Sequence, residues 1–253
     1  MIAERRPLIA ANWKMNKTVA EAEDFLAQLL GEVDGLGAEV VVCPPATALA
    51  AAIAATRESE VEIAAQTMHF EAAGAYTGEI SAPMLIELGA WGVILGHSER
   101  RQYFCETDEA LAKKLPAALE AGLVPILCVG ESEAERDAGE TEGVLERQLA
   151  TDLAAVPEGR LSEVVVAYEP IWAIGTGRTA TEEQAQDACA FIRSQLERLG
   201  PAAAEAVRIL YGGSMKPANA AQLLAQPDID GGLVGGAALD PGDFAAICRA
   251  GSG

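Results

Sequence analysis

Three side chains in this sequence stand where acid–base chemistry would need them. Glu169 follows the apolar run Val164-Val165-Val166-Ala167-Tyr168 and precedes Pro170. A carboxylate there costs free energy unless it has a partner or a task. Two readings therefore stand: a strand-end carboxylate that meets solvent, or a base that takes a proton from carbon. The second needs a site that excludes water and raises the pKa towards ~6–7. His97 follows Val93-Ile94-Leu95-Gly96 and precedes Ser98-Glu99-Arg100-Arg101, which reads as the first turn of a short helix. Helix N-terminal N–H groups disfavour an imidazolium, and a neutral ring can donate to a carbonyl and shuttle a proton. Lys14 stands beside Asn12 at the end of the first apolar run. Its ammonium can hold a phosphate and stabilise a developing enolate oxygen, although taken alone it reads equally as a solvated lysine.

Glycines supply the next signal. Gly212-Gly213-Ser214 and Gly235-Gly236 follow the last two strand-like runs, where backbone N–H groups can approach an anion unobstructed. Either pair alone is a turn; together they mark a phosphate site. Between Glu169 and the next helix lies Pro170-Ile171-Trp172-Ala173-Ile174-Gly175-Thr176-Gly177. Its apolar tip, with proline before it and small residues after it, suits a hinged lid; a fixed loop anchored by Trp172 is the other reading. Gly175 to Ala180 also matches G-x-G-x-x-A, but it begins several residues after the strand and the acidic Glu197 lies in a helical pattern, so a dinucleotide site is rejected. The two histidines, His69 and His97, are far apart, which argues against a metal-dependent site, and His69 receives no catalytic role. The sequence has no G-x-S-x-G elbow and no Walker A motif, removing the usual serine-hydrolase and NTP-hydrolase readings. Cys128 reads as packing.

These groups need strands and helices to position them. Strand-like runs cover Leu8–Trp13, Glu39–Cys43, Val61–Gln66, Gly92–Gly96, Val124–Val129, Val164–Tyr168, Val207–Tyr211 and Gly232–Val234. A longer segment with helical spacing follows each. Several runs are apolar at consecutive positions, as parallel strands covered on both faces are. Leu145, Leu149, Leu153 and Val156, and likewise Ile192, Leu196 and Leu199, form apolar stripes at helical spacing. Asp240-Pro241 reads as N-cap and first helical residue, Thr179 with Glu182 as a capping box, and Gly200-Pro201 as a helix end. Eight βα units with no linker between them favour an α/β fold closed into one (β/α)8 barrel over residues 1–253, with an open doubly wound sheet as the alternative. In a barrel, Lys14, His97, Glu169 and both glycine pairs meet at the carboxyl ends of the strands.

Composition narrows the partners. Eighteen basic against thirty-eight acidic residues give a net charge of −20, which repels nucleic acid and anionic membranes. Five cysteines without a C-x-x-C pair suit free thiols in the cytoplasm. No signal-peptide core and no membrane-length apolar run is expected.

Six ordered segments carry a resemblance over essentially the whole chain: Asn12-Trp13-Lys14-Met15-Asn16, Gly74 to Glu79, Gly96 to Arg101, Ala167 to Gly177, Tyr211 to Ser214, and Gly235-Gly236. In these the chain resembles the triosephosphate isomerases, enzymes of glycolysis and gluconeogenesis that interconvert dihydroxyacetone phosphate and D-glyceraldehyde 3-phosphate without a cofactor or metal. The resemblance implies that Glu169 moves the proton through an enediol(ate). His97 would polarise the carbonyl as a neutral ring, Lys14 and Asn12 would assist at the oxyanion, and Glu99 would orient Lys14, with Ser98 also in a supporting place. Gly175, Ser214, Gly235 and Gly236 would contact phosphate, under a lid of Pro170 to Gly177. It further implies a homodimer in which Met15, Tyr76 and Thr77 make contacts, Thr77 reaching towards the neighbour's Lys14 and His97 region.

Two positions depart from the family pattern: glycine is expected within Phe104-Cys105-Glu106-Thr107, and asparagine in place of Thr67. Cys105 near the His97 segment reads as packing, in preference to a reactive thiol. A different sugar-phosphate barrel enzyme would share the glycine pairs but not the combination of Glu169, His97, Lys14 and an apolar lid. A catalytically silent barrel would more naturally have lost Glu169 or His97.

Overall fold

The computed structural model describes residues 5–174 and 179–252. Eight strands close on themselves in sequence order: β1 (Leu8–Asn12), β2 (Glu39–Cys43), β3 (Val61–Ala65), β4 (Gly92–Leu95), β5 (Val124–Val129), β6 (Val165–Tyr168), β7 (Arg208–Tyr211) and β8 (Gly231–Val234). Every pairing is parallel, and β1 closes against β8 with Leu8 opposite Gly231 and Ala11 opposite Val234. The open-sheet alternative is thereby excluded.

The apolar runs are continuous because each strand is buried on both faces. One set of alternating residues, including Leu8, Ala10, Val41, Ile94, Ile126, Cys128, Val165, Ala167, Leu210 and Leu233, fills the barrel. The other set, including Ile9, Ala11, Val40, Val42, Val93, Leu95 and Val166, packs against the helices. Cys128 is buried, as expected for packing, and burial is the largest cause of its thiol being held well above the ordinary value.

The helix stripes behave as their spacing implies, with limits at the ends. Leu145, Leu149, Leu153 and Val156 are all buried, although the helix itself stops at Asp152. Ile192 and Leu196 are buried, but Leu199, the last residue of its helix, is partly exposed. Asp240 caps the helix Pro241–Ala250 through Asp243 N, and Gly200 ends the helix Glu182–Leu199 before Pro201 starts another. The expected capping box at Thr179 and Glu182 is corrected to Thr181 and Gln184, whose side chains and N–H groups bond reciprocally. Ala180 is buried, so the chain is still packing inward there and turns into the helix two residues later.

Cys105 is not packed. It is exposed at the C-terminus of the helix Ser98–Phe104, in the left-handed conformation with φ 53° and ψ 38°. A side chain in that conformation costs about 1–2 kcal/mol, which glycine avoids. Cys105→Gly is therefore expected to stabilise the fold by about 1 kcal/mol in urea unfolding; an unchanged or lower midpoint would show that the strain is offset elsewhere.

Beneath the barrel mouth, between β4 and β5, lies a partly buried ionic group. Arg101 donates through Nη2 to Asp152 Oδ2 at 2.6 Å and through Nη1 to Asp108. Asp152 is fully buried and its Oδ1 has no hydrogen-bond partner. Burial pushes its carboxyl up to about 7, against the pull of Arg101. Since that value lies above the ordinary 3.8, the folded chain binds this proton more tightly than the unfolded chain does. The stabilisation is complete below about pH 4 and is lost as pH rises through about 7. Asp152→Asn, which cannot titrate, is expected to lose less stability than the parent chain over that interval, measured by urea unfolding at each end.

Candidate active site

His97 is placed by the end of β4. It is the N-cap of the helix Ser98–Phe104, and its Nδ1 accepts the Glu99 N–H at 3.2 Å. Its Nε2 lies 3.0 Å from Glu169 Oε1, so the hydrogen-bond geometry assigns the ring proton to Nε2. Two influences on the ring oppose each other: burial disfavours a second proton, while the Glu169 charge favours it and raises the imidazole overall. That second proton would have to sit on Nδ1, which already faces a backbone N–H. The neutral ring with Nε2–H satisfies both of these contacts, while the Glu99 carboxylate, with Oε2 3.7 Å from Nδ1, adds to the pull of Glu169 towards a second proton.

Glu169 is 2% exposed at the end of β6. Its Oε2 accepts the Ser98 backbone N–H at 2.8 Å. Burial pushes the carboxyl up, but His97, the Ser98 N–H and Lys14 outweigh it and hold the group below the usual carboxylate range. The expected elevation towards ~6–7 is therefore corrected for this side-chain position: the groups that place Glu169 also stabilise its charge.

Lys14 follows β1 with φ 53°. Its N–H donates to Asn12 Oδ1 at 3.0 Å, and its carbonyl accepts from Gln66 Nε2 at 2.9 Å. The ammonium is 2.6 Å from Glu99 Oε1. Asn12, Lys14, His97, Glu169, Ser214, Gly235 and Gly236 all line one cavity of about 600 Å³ at the strand C-termini. Gly236 has open space where a side chain would stand, as an amide approached by an anion requires.

Of the lid, Pro170 to Ile174 are described, while Gly175, Thr176 and Gly177 lie outside the described residues. Ile171–Ala173 form a 3-10 turn and Trp172 is buried. Its indole N–H donates to Glu131 Oε1 at 2.8 Å, and the Arg136 guanidinium lies 4.3 Å from its ring centre.

Several positions that shape the site carry little or no signal in the sequence. Glu131 is fully buried and accepts from Trp172 and from the Tyr168 hydroxyl as well. A charged residue two positions beyond the apolar strand Val124–Val129, after Gly130, is the available signal, weaker than the one at Glu169, which follows its strand directly. Gln66, which holds the Lys14 carbonyl, carried none. The glycine pair after β7 has a second use: a Cβ on Gly212 would meet Glu169 Cγ at 2.9 Å, and one on Gly213 would meet the Tyr211 hydroxyl at 2.2 Å. Across the site, a Cβ on Gly130 would lie 1.8 Å from the Glu169 carbonyl oxygen.

Among the described residues, no group of three or more His, Cys, Asp or Glu is arranged to hold a metal ion, and no helix is long and apolar enough to cross a membrane. A carboxylate and an imidazole within hydrogen-bond reach, beside an ion-paired ammonium at a barrel mouth, place the chain in the class of (β/α)8-barrel enzymes equipped for proton transfer. The family model described as triosephosphate isomerase matches residues 7–251. The chain is 55% identical over 243 residues to the triosephosphate isomerase of Moorella thermoacetica, covering 96% of this chain and 98% of that protein. It is 52% identical over 244 residues to that of Clostridium novyi, covering 96% and 98%. With that of Rubrobacter xylanophilus it shares 52% identity over 256 residues and the whole of both chains. The chain belongs to the triosephosphate isomerase family.

Proposed function

We propose that this chain interconverts dihydroxyacetone phosphate and D-glyceraldehyde 3-phosphate, by proton transfer through an enediol(ate). The observation that carries the reading is the shared cavity into which Glu169, the Nε2 edge of His97 and Lys14 all face. Glu169 takes the proton from the carbon beside the carbonyl and returns it to the neighbouring carbon. His97 donates its Nε2–H to the carbonyl oxygen and recovers a proton from the adjacent hydroxyl, which moves the double bond without net change in protons. Lys14, beside Asn12, offsets the negative charge on oxygen and on phosphate. Glu169 must first leave the Ser98 N–H, so substrate binding and release of the carboxylate are coupled steps. Release from these partners also lets the pKa of the base rise.

The phosphate is held by the amides of Gly235 and Gly236 and by Ser214, with Gly175 joining from the lid Pro170 to Gly177. No cofactor or metal takes part. One domain, residues 1–253, carries the whole site.

The active form is a homodimer in the cytoplasm. Met15 is 95% exposed and Tyr76 45% exposed, and Thr77 is exposed beside it. A second cavity of about 310 Å³, lined by Lys14, Met15, Pro45, Gln66, His97 and Phe104, adjoins the first and is the proposed seat for the neighbour's Thr77. Exposed apolar side chains near that face, Tyr103 and Phe104 among them, support the reading.

The test is isomerisation of D-glyceraldehyde 3-phosphate in EDTA, with the molecular mass measured in the same buffer. Rapid turnover by a species of twice the chain mass is expected. A folded protein without turnover would overturn the activity, and an active monomer would overturn the dimer.

A further inference from the structure

Accepting His97 as the electrophile, we propose that Arg101, held in orientation by Asp152, is a positioning residue for the isomerisation, fixing the Gly96–His97 peptide and with it the imidazole and the Ser98 N–H. Arg101 lies outside the main cavity, and no step of the proton transfer uses it.

The guanidinium acts as a bracket between two strand ends. Nε donates to Gly96 O at 2.8 Å, the carbonyl immediately before His97. Nη2 donates to Cys128 O at 3.1 Å, near the end of β5. The next carbonyl on that strand, Val129 O, accepts the Glu169 N–H at 2.7 Å. One side chain thus ties the strand that carries the electrophile to the strand that seats the backbone of the base. The Arg101 N–H also donates to His97 O at 3.0 Å, so the His97 peptide is held on both sides by the same residue. The opposite pole of Gly96 is fixed by Glu106, whose Oε2 accepts the Gly96 N–H at 3.1 Å.

The geometry leaves little freedom. Gly96 has φ +73°, and a Cβ there would lie 3.0 Å from Arg101 Nη2 and 2.9 Å from Leu111 Cδ1. The guanidinium therefore packs against bare backbone. Its fork is aimed by two carboxylates, Asp108 on Nη1 and Asp152 on Nη2. Asp152 is fully buried with one oxygen unpartnered, a costly arrangement if cohesion were its only purpose. Well-packed apolar residues of similar volume often serve stability as well or better. What they cannot supply is direction, and the fork supplies it to two carbonyls at once.

Three variants test this: Arg101→Lys, which keeps charge but cannot reach both carbonyls with a planar fork; Asp152→Ala, which removes the hold on Nη2; and Asp152→Asn, which keeps an acceptor there. Arg101→Lys is expected to lower kcat about 10²-fold with KM within about threefold, since a displacement of about 1 Å at a reacting group costs that much. Asp152→Ala should lower kcat about 10-fold, and Asp152→Asn should restore most of it. The readout that cohesion alone would not move is the carbonyl stretch of bound dihydroxyacetone phosphate by infrared spectroscopy, which should return towards its free frequency in Arg101→Lys and Asp152→Ala. If Arg101→Lys does not fold, the Asp152 pair decides by the same measurements. Folded variants with parental kcat and an unshifted stretch would overturn the inference, whatever their melting temperatures. Absence of turnover in the parent chain would instead overturn the isomerase reading.

Discussion

Shortening Glu169 to aspartate is expected to lower kcat about 10²–10³-fold while KM stays within about threefold. The reason lies in how firmly the backbone is held. The Glu169 N–H donates to Val129 O at 2.7 Å, and Tyr168 O accepts the Gly212 N–H at 2.7 Å. Gly130 and Gly212 close in on either side, with no room for a methyl group. The chain cannot advance to recover the lost methylene, so the carboxylate is left about 1 Å or more short of the carbon, a distance that costs about 10²-fold by itself. Steady-state kinetics in both directions, with circular dichroism as a check on folding, measures the effect. A kcat within about fivefold of the parent value would remove Glu169 as the base.

Replacing Lys14 by methionine is expected to be more severe, with kcat/KM falling about 10⁴-fold or more, because the proposed mechanism gives one ammonium two tasks. In that mechanism it offsets the phosphate charge on binding and the oxyanion charge at the transition state, so KM should rise and kcat should fall together. Stability should hardly change. The Lys14 side chain and its partner Glu99 are 27% and 39% exposed, and ion pairs in that setting contribute about 0–1 kcal/mol. The backbone at φ 53° is held by Asn12 and Gln66, not by the ammonium. A variant that lost activity through unfolding, or one that raised KM alone, would contradict the double role.

The barrel was legible because its strands are buried on both faces, which writes them as uninterrupted apolar runs. Glu39–Cys43 and Val124–Val129 have the boundaries their composition implies. The others differ at one end, as at Val164 and Gly96, where the residue is apolar or small but no longer pairs, and at Gln66, whose side chain turns to the Lys14 and Cys43 carbonyls just beyond the strand. Glu169, His97 and Lys14 were legible for the opposite reason: polar groups at the ends of such runs violate the pattern. Gln66 was not, because a glutamine beyond a strand breaks no rule and its role depends on a carbonyl 52 positions away. Glu131 stands one residue further out, beyond Gly130, so a buried carboxylate that accepts from an indole and a phenol reads in sequence like any other charge near a loop. Cys105 was misread because burial is the habit of cysteine, whereas here the helix end sets the backbone and leaves the side chain outside. The charge-stabilised state of Glu169 is also out of reach of sequence, since it depends on His97 and on the Ser98 N–H, both brought from beyond another strand.

The slot that holds Glu169 has walls on two neighbouring strand ends, Gly130 beyond β5 and Gly212 beyond β7, each bare because any side chain would strike the β6 end. The instruction for where the carboxylate stands is therefore written in three separate parts of the gene. Chimeras that exchange barrel segments with other eight-stranded barrels can import a glutamate at this place readily, but they inherit its alignment only when both flanking glycines travel with it.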